Sequence, residues 1–170
     1  MQKKCRIEDA IGKKYPESVV LVTTCDRKEK ANVMAVGWVA IASGEPLMFM
    51  LGIDDGALTF RNIRQTKEFV VAFPNEAMGR ETLFAGSNHG HKMDKFEDSG
   101  LAVQKAVKVK SPLVRDAVAN FECRLAKIYK PGDCPIVIGE VISAHVNRNA
   151  SLKRLYTVGK GHKLAGVRKH

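Results

Sequence analysis

The sequence predicts a mainly β domain, six strands closing into a small antiparallel barrel with helices at its periphery. Three observations predict it. Runs rich in β-branched residues, such as Ser18-Val19-Val20-Leu21-Val22-Thr23-Thr24-Cys25, recur along the chain between polar or proline-bearing turns. Only residues 57–65 and about 75–85 read as helices before the tail, so there is no βαβ alternation. No G-x-G-x-x-G motif is present, which disfavours a doubly wound nucleotide-binding fold. A length of 170 residues suits one domain, 1–170, with a single sizeable core.

After the first strand, Asp26-Arg27-Lys28-Glu29-Lys30 reads as a polar turn. Residues 33–43 read as one long second strand, apolar on both faces. Such a strand is buried on both sides, or turns one face to a partner or ligand. Gly44-Glu45-Pro46 leads into a third strand, 47–53. The helix at 57–65 precedes a strand at 68–73, which Pro74 ends before the second helix. Residues 86–100 are polar and glycine-bearing and read as a functional or mobile loop. Strands return at 105–110, 118–129 and 135–146, the last two a hairpin through Lys130-Pro131-Gly132-Asp133. From Ser151 the tail reads as a short helical piece followed by Gly159, Gly161 and Gly166.

Composition narrows the class. Hydrophobic residues make up 45% and charged residues 27%, ordinary values for a globular chain. No stretch approaches the roughly 20 apolar residues that span a bilayer. The basic start Met1-Gln2-Lys3-Lys4-Cys5-Arg6 leads into Ile7-Glu8-Asp9 and not an apolar segment, so a cytoplasmic protein is expected. Cys5, Cys25, Cys123 and Cys134 lack metal-site spacing, and Cys25 and Cys123 sit in apolar runs as buried free thiols. Residues 1–14 carry five Lys/Arg against two acids, and residues 148–170 carry seven against none. The whole net charge of +10 therefore belongs to the two ends. Basic ends are solvated, bind nucleic acid, or lend positive potential to an anionic cofactor or substrate. Few aromatics accompany them, which weakens the nucleic-acid reading.

No G-x-S-x-G, H-E-x-x-H or Walker loop is present. His89-Gly90-His91 has metal-binding residue types, but without a third ligand nearby it reads as a polar loop, and no metal is expected. Five segments in order carry a resemblance instead. They are Asn32-Val33-Met34-Ala35-Val36-Gly37-Trp38 running to Ser43-Gly44-Glu45-Pro46; Thr59-Phe60-Arg61-Asn62-Ile63 with Glu68-Phe69-Val70-Val71; Asp94-Lys95-Phe96 with Ser99-Gly100-Leu101; Phe121-Glu122-Cys123; and Gly132 with Gly139-Glu140-Val141. Over about residues 15–146 they resemble the flavin reductase-like family of FMN-binding split barrels, in its flavoredoxin-like branch.

The resemblance implies a Greek-key split barrel of six antiparallel strands, FMN as cofactor and a homodimer. It places Asn32, Met34, Ala35, Trp38 and Ser43 along the ring and ribityl chain, and Thr59, Gly90 and Lys95 at the phosphate. It implies an oxidoreductase fed by NAD(P)H; the alternative is an FMN electron carrier reduced by a protein donor. The residues suit these roles. Thr59 lies near a helix start, where phosphate is favoured, and Lys95 adds a positive charge. Each also has a purely structural use: Trp38 as core or interface filling, Thr59 as a cap, Lys95 as a surface cation. Four positions depart from the family. Ala57 replaces a frequent arginine, His89 and His91 stand where the branch often has Ser and Arg, and Cys134 occupies a position that is often His. Cys134 is the one candidate for a catalytic position.

Overall fold

The computed structural model describes residues 1–167. Its main element is a seven-stranded antiparallel sheet. The strands are β2 (Val20–Cys25), β3 (Ala31–Val36), β4 (Val39–Gly44), β5 (Leu47–Gly52), β6 (Glu68–Phe73), β9 (Ala119–Tyr129) and β10 (Ile136–Val146). The remaining short strands are β1 (Glu17–Ser18), β7 (Val103–Gln104), β8 (Leu113–Val114), β11 (Leu155–Gly159) and β12 (Lys163–Gly166). Helices are α1 (Ile7–Ile11), α2 (Leu58–Thr66), α3 (Gly79–Ser87) and α4 (Lys95–Ser99).

The order of the large sheet is β3-β2-β6-β9-β10-β5-β4. β3 and β4 are its opposite edges, yet only Gly37 and Trp38 separate them in sequence. The sheet must therefore roll until its edges nearly meet, leaving a seam at Gly37-Trp38. That is a split barrel, and the expectation of a mainly β barrel with peripheral helices holds.

The sheet has seven strands where six were expected: residues 33–43 form two strands, and of the seven segments read as strands 105–110 does not join the sheet. The break falls where Trp38 packs on Gly52: a side-chain carbon added to Gly52 would lie 3.0 Å from Trp38 Cβ. The Gly52 N–H then donates to the Trp38 carbonyl at 2.8 Å, turning the chain off the β3 ladder.

Three further elements differ from expectation. Residues 105–110 are not a strand, because the N–H groups of Val107, Lys108 and Val109 all donate to the Glu122 carboxylate, at 3.0, 2.5 and 2.9 Å. Amides converging on one side chain cannot also serve a ladder. The 86–100 loop contains α4, whose N-cap Asp94 accepts from the Phe96 and Glu97 N–H groups. The tail forms the hairpin β11–β12, not a helix. Leu155 and Thr157 are buried alternately, and Gly161 and His162 supply the positive φ values, 72° and 56°, of its turn.

β2 is buried along its whole length because both faces are covered. Val20 and Val22 point into the barrel with Leu51, Ile63, Phe69 and Val137, while Leu21 packs outside with Val33, Met78, Ala85 and Val114. Each such side chain removed from water contributes roughly 1.5–3 kcal/mol. Phe69 fixes the barrel interior: Gly139 lies against its ring, at a β-bulge between Ile138 and Gly139, where a side chain would collide.

β1 pairs with β11 (Glu17 opposite Thr157, Ser18 opposite Tyr156), which brings the chain just after the basic start beside the hairpin of the tail. At Gly12 an added Cβ would lie 2.8 Å from Lys160 Cε.

Candidate functional site

A groove follows the free edge of β3. Among the described residues β3 pairs only with β2, so its other edge has no strand partner there. Three cavities adjoin along it. The first, about 350 Å³, lies at the N-terminus of α2 and is lined by Asn32, Thr59, Gly90 and Lys95 among others. The second, about 360 Å³, lies between β3, α3 and the β11–β12 hairpin. Met34 and Gly86 line both. The third, about 550 Å³, opens beside the β9–β10 turn and shares Gly37, Trp38 and Gly52 with the second.

The α2 end presents backbone donors without a side-chain cap. Ala57 is the N-cap and makes no side-chain capping bond, and the first turn carries no acid. The first N–H groups of the helix are thus uncapped by side chain, at the positive end of its dipole. Asn32, buried on β3, donates from Nδ2 to Thr59 Oγ at 2.9 Å, tying strand to helix. Its Oδ1 is buried without a partner among the described residues. Lys95 is buried, and its Nζ donates to the Ala85 carbonyl at 2.8 Å. Burial lowers its pKa to about 8.

In the second cavity α3 runs close to the strand: a side-chain carbon on Gly86 would stand 3.2 Å from Ala35 Cβ. Thr82, on the same helix, is buried with its hydroxyl unpartnered and lines the cavity. Two orphaned polar atoms, Asn32 Oδ1 and Thr82 Oγ1, thus border the groove, where each costs about 1–3 kcal/mol while unpaired. A ligand with polar edges and an apolar body would satisfy them while covering Met34 and Ala35.

The third cavity holds Cys134 and the exposed indole of Trp38. The Cys134 thiol is pushed up by burial, and further by Asp133, Asp54 and Asp55.

Of the residues picked out in the sequence, the structure gathers Asn32, Met34, Ala35, Trp38, Thr59, Gly90, Lys95 and Cys134 along the groove. Ser43 stands apart, at the far end of β4 opposite Met48, and borders none of these cavities. His89 and His91 belong to the α2 end. Sequence reasoning missed the wall made by the chain ends, where Lys14, Tyr15, Thr157 and His162 line the second cavity. The only signal for it was the charge concentrated at those ends.

The seam, the free β3 edge and the uncapped α2 end agree with a sequence match of residues 12–164 to the flavin reductase like domain. The chain belongs to that family. A flavin reductase of Pseudomonas putida is 30% identical over 154 residues, spanning 89% of this chain and 86% of that one. Among solved structures, flavoredoxin of Desulfovibrio vulgaris (Miyazaki F) superposes with a TM-score of 0.84 at 24% identity, over 100% of this chain and 95% of that one. An FMN-binding protein from Thermus thermophilus, with bound p-hydroxybenzaldehyde, superposes with a TM-score of 0.86 at 18% identity, over 100% and 98%. This flavin reductase-like chain therefore has the flavoredoxin fold. No helix among the described residues is long and apolar enough to cross a membrane.

Proposed function

We propose that the protein binds FMN along the β3 groove, phosphate toward α2 and ring toward Trp38, and acts as an NAD(P)H-dependent oxidoreductase. The observation that carries the reading is the pairing of an uncapped helix N-terminus with the buried, unpartnered Asn32 carbonyl at one end of an apolar groove. When bound, FMN supplies the redox chemistry. The protein's part is positional. Thr59, the first N–H groups of α2 and Lys95 receive the phosphate, the Asn32 Oδ1 acceptor meets a hydroxyl of the ribityl chain beside them, and Thr82 meets polar atoms nearer the ring. Met34 and Ala35 cover the apolar face, and the free β3 edge offers backbone donors and acceptors.

Trp38, Ile41 and Met50 are exposed at the β4 edge, with Trp38 and Ile41 more than half accessible. A second copy covering them gives the homodimer, consistent with how rarely a free edge carries such residues. A specific observation also favours the carrier reading, in which a protein reduces the FMN. Cys134, at the mouth of the groove, is a neutral thiol and neither a strong donor nor a cation.

Equilibrium dialysis against FMN, with the visible spectrum of the product, tests binding: about one flavin per chain is expected, and no binding at micromolar FMN refutes the proposal. Steady-state oxidation of NADH and NADPH then separates reductase from carrier. Light scattering over a hundredfold dilution tests the dimer.

A further inference from the structure

Residues 1–13 border none of the three cavities of the groove, yet they hold a helix with an apolar face. Ile7 and Ile11 stand one turn apart on the same side of α1 and are 81% and 59% exposed. No residue of the helix is buried. Lys3, Lys4 and Lys13 around it form no ion pair among the described residues. Gly12 lies against Lys160 in the turn of the β11–β12 hairpin, which is where the helix leaves the barrel.

The third cavity has the complementary character. Trp38, Met50 and Ile136 give it an apolar lining, and Trp38 and Met50 are exposed. Its charged lining residues are Glu17 and Asp133, and among the described residues no Lys, Arg or His lines it. Glu17 is paired with Lys14 at 2.8 Å and nearby Asp55 with Lys130, but Asp54 and Asp133 hold no cation among the described residues. Their charge reaches the cavity, since together with Asp55 they push the Cys134 thiol up further than burial does alone. A surface that is apolar within and negative at its rim fits a basic amphipathic helix. The arm of the same chain leaves it open, because no residue before Glu17 lines it.

We propose that the occupant is the N-terminal arm of a second copy: each arm lays Ile7 and Ile11 on the partner's Trp38 and Met50 and turns Lys3, Lys4 and Lys13 to the partner's Asp54 and Asp133, so that each subunit completes the mouth of the other's groove. The inference rests on the homodimer proposed above and not on which flavin is bound. With the ring toward Trp38, a donor or acceptor then reaches it past residues of the other subunit.

The cysteines supply the test. Cys5 lies on the arm and is exposed, and Cys134 lines the cavity. Cys25 and Cys123 are buried, with thiols pushed up to about 11 and about 12, which leaves them inert. The full chain is treated with a short bismaleimide at neutral pH and the products are sized under denaturing conditions. A covalent dimer is expected from the parent, and none from Cys5→Ser or Cys134→Ser alone. Coexpression of those two variants, one of them tagged, should restore a dimer that contains both chains. The double variant Ile7→Asp, Ile11→Asp keeps the fold, since both positions are exposed. It should lose the cross-link and dissociate in light scattering at about a hundredfold higher concentration, about tenfold for each arm. A dimer that gives no cross-link in the coexpressed pair, or that the aspartates leave unchanged, overturns the arm exchange and leaves the homodimer standing. A Cys5–Cys134 link found only within one chain assigns the arm to its own barrel and overturns the exchange too. A monomer at every concentration overturns both.

Discussion

Lys95 makes opposite demands on stability and on binding, so replacing it should move the two in opposite directions. In the folded protein its ammonium is buried, and among the described residues its one partner is the Ala85 carbonyl at 2.8 Å. Desolvation lowers its pKa from 10.5 to about 8, a penalty on the charged form of about 3 kcal/mol. The sign follows from proton counting. Between pH 8 and 10.5 the unfolded chain binds more protons at this site than the folded one, so the penalty is fully present below pH 8 and fades as the pH rises through the unfolded value. Lys95→Met keeps the side-chain volume and removes the penalty, but also removes a charged hydrogen bond worth about 1.5–3 kcal/mol. Without flavin the variant should be as stable as the parent, or up to about 1.5 kcal/mol more stable, at pH 7. FMN should bind about 10- to 150-fold more weakly, from loss of a contact of that same size, while riboflavin changes little. Urea unfolding at pH 7 and pH 10 and parallel titrations of the two flavins measure both effects. Equal weakening of FMN and riboflavin, with a destabilised chain, would show that Lys95 serves to order α4 and not to hold phosphate.

Three other perturbations follow. Glu122→Gln should destabilise the fold by about 3 kcal/mol at pH 7, because the carboxylate anchors three backbone amides and bonds His145 at 2.6 Å. Burial raises the Glu122 pKa, but the bonds to His145 and the amides outweigh it and the net direction is down; the stabilisation is therefore present above about pH 4.5 and disappears as pH falls through the lowered value, which acid titration of parent and variant would reveal. Gly139→Ala should cost about 1–3 kcal/mol, measured by thermal melts, since its methyl group meets the Phe69 ring in the core. Cys134→His should speed reduction of bound flavin by NAD(P)H in stopped flow, and a parent already as fast would remove Cys134 from any role in hydride transfer.

The hairpin β9–β10 was legible in the sequence because its turn residues and long β-rich arms are local signals. The break at Gly37 was not. Residues 33–43 are apolar throughout although β4 is largely exposed, and such a run gives no periodicity to mark where one strand ends. Val107-Lys108-Val109 has the alternation of a strand, and only the distant Glu122 diverts its amides. The groove residues of β3, α2 and α4 could be read because they lie in compact, ordered motifs. The wall formed by Lys14, Thr157 and His162 could not, since it depends on a pairing between β1 and β11 about 140 residues apart in sequence. Ser43 was selected through its neighbours in sequence, and β4 carries it away from the groove.

The β1–β11 pairing also orders events during synthesis. The floor of the groove, residues 32–38, leaves the ribosome well before the hairpin at 155–166 that walls it. A nascent chain halted between those points presents an open shelf, with Thr82 and the β3 edge facing water. With flavin in the groove as proposed, its loading belongs to the last stage of chain maturation, and a chain truncated before β11 should reach a folded barrel yet retain its flavin poorly.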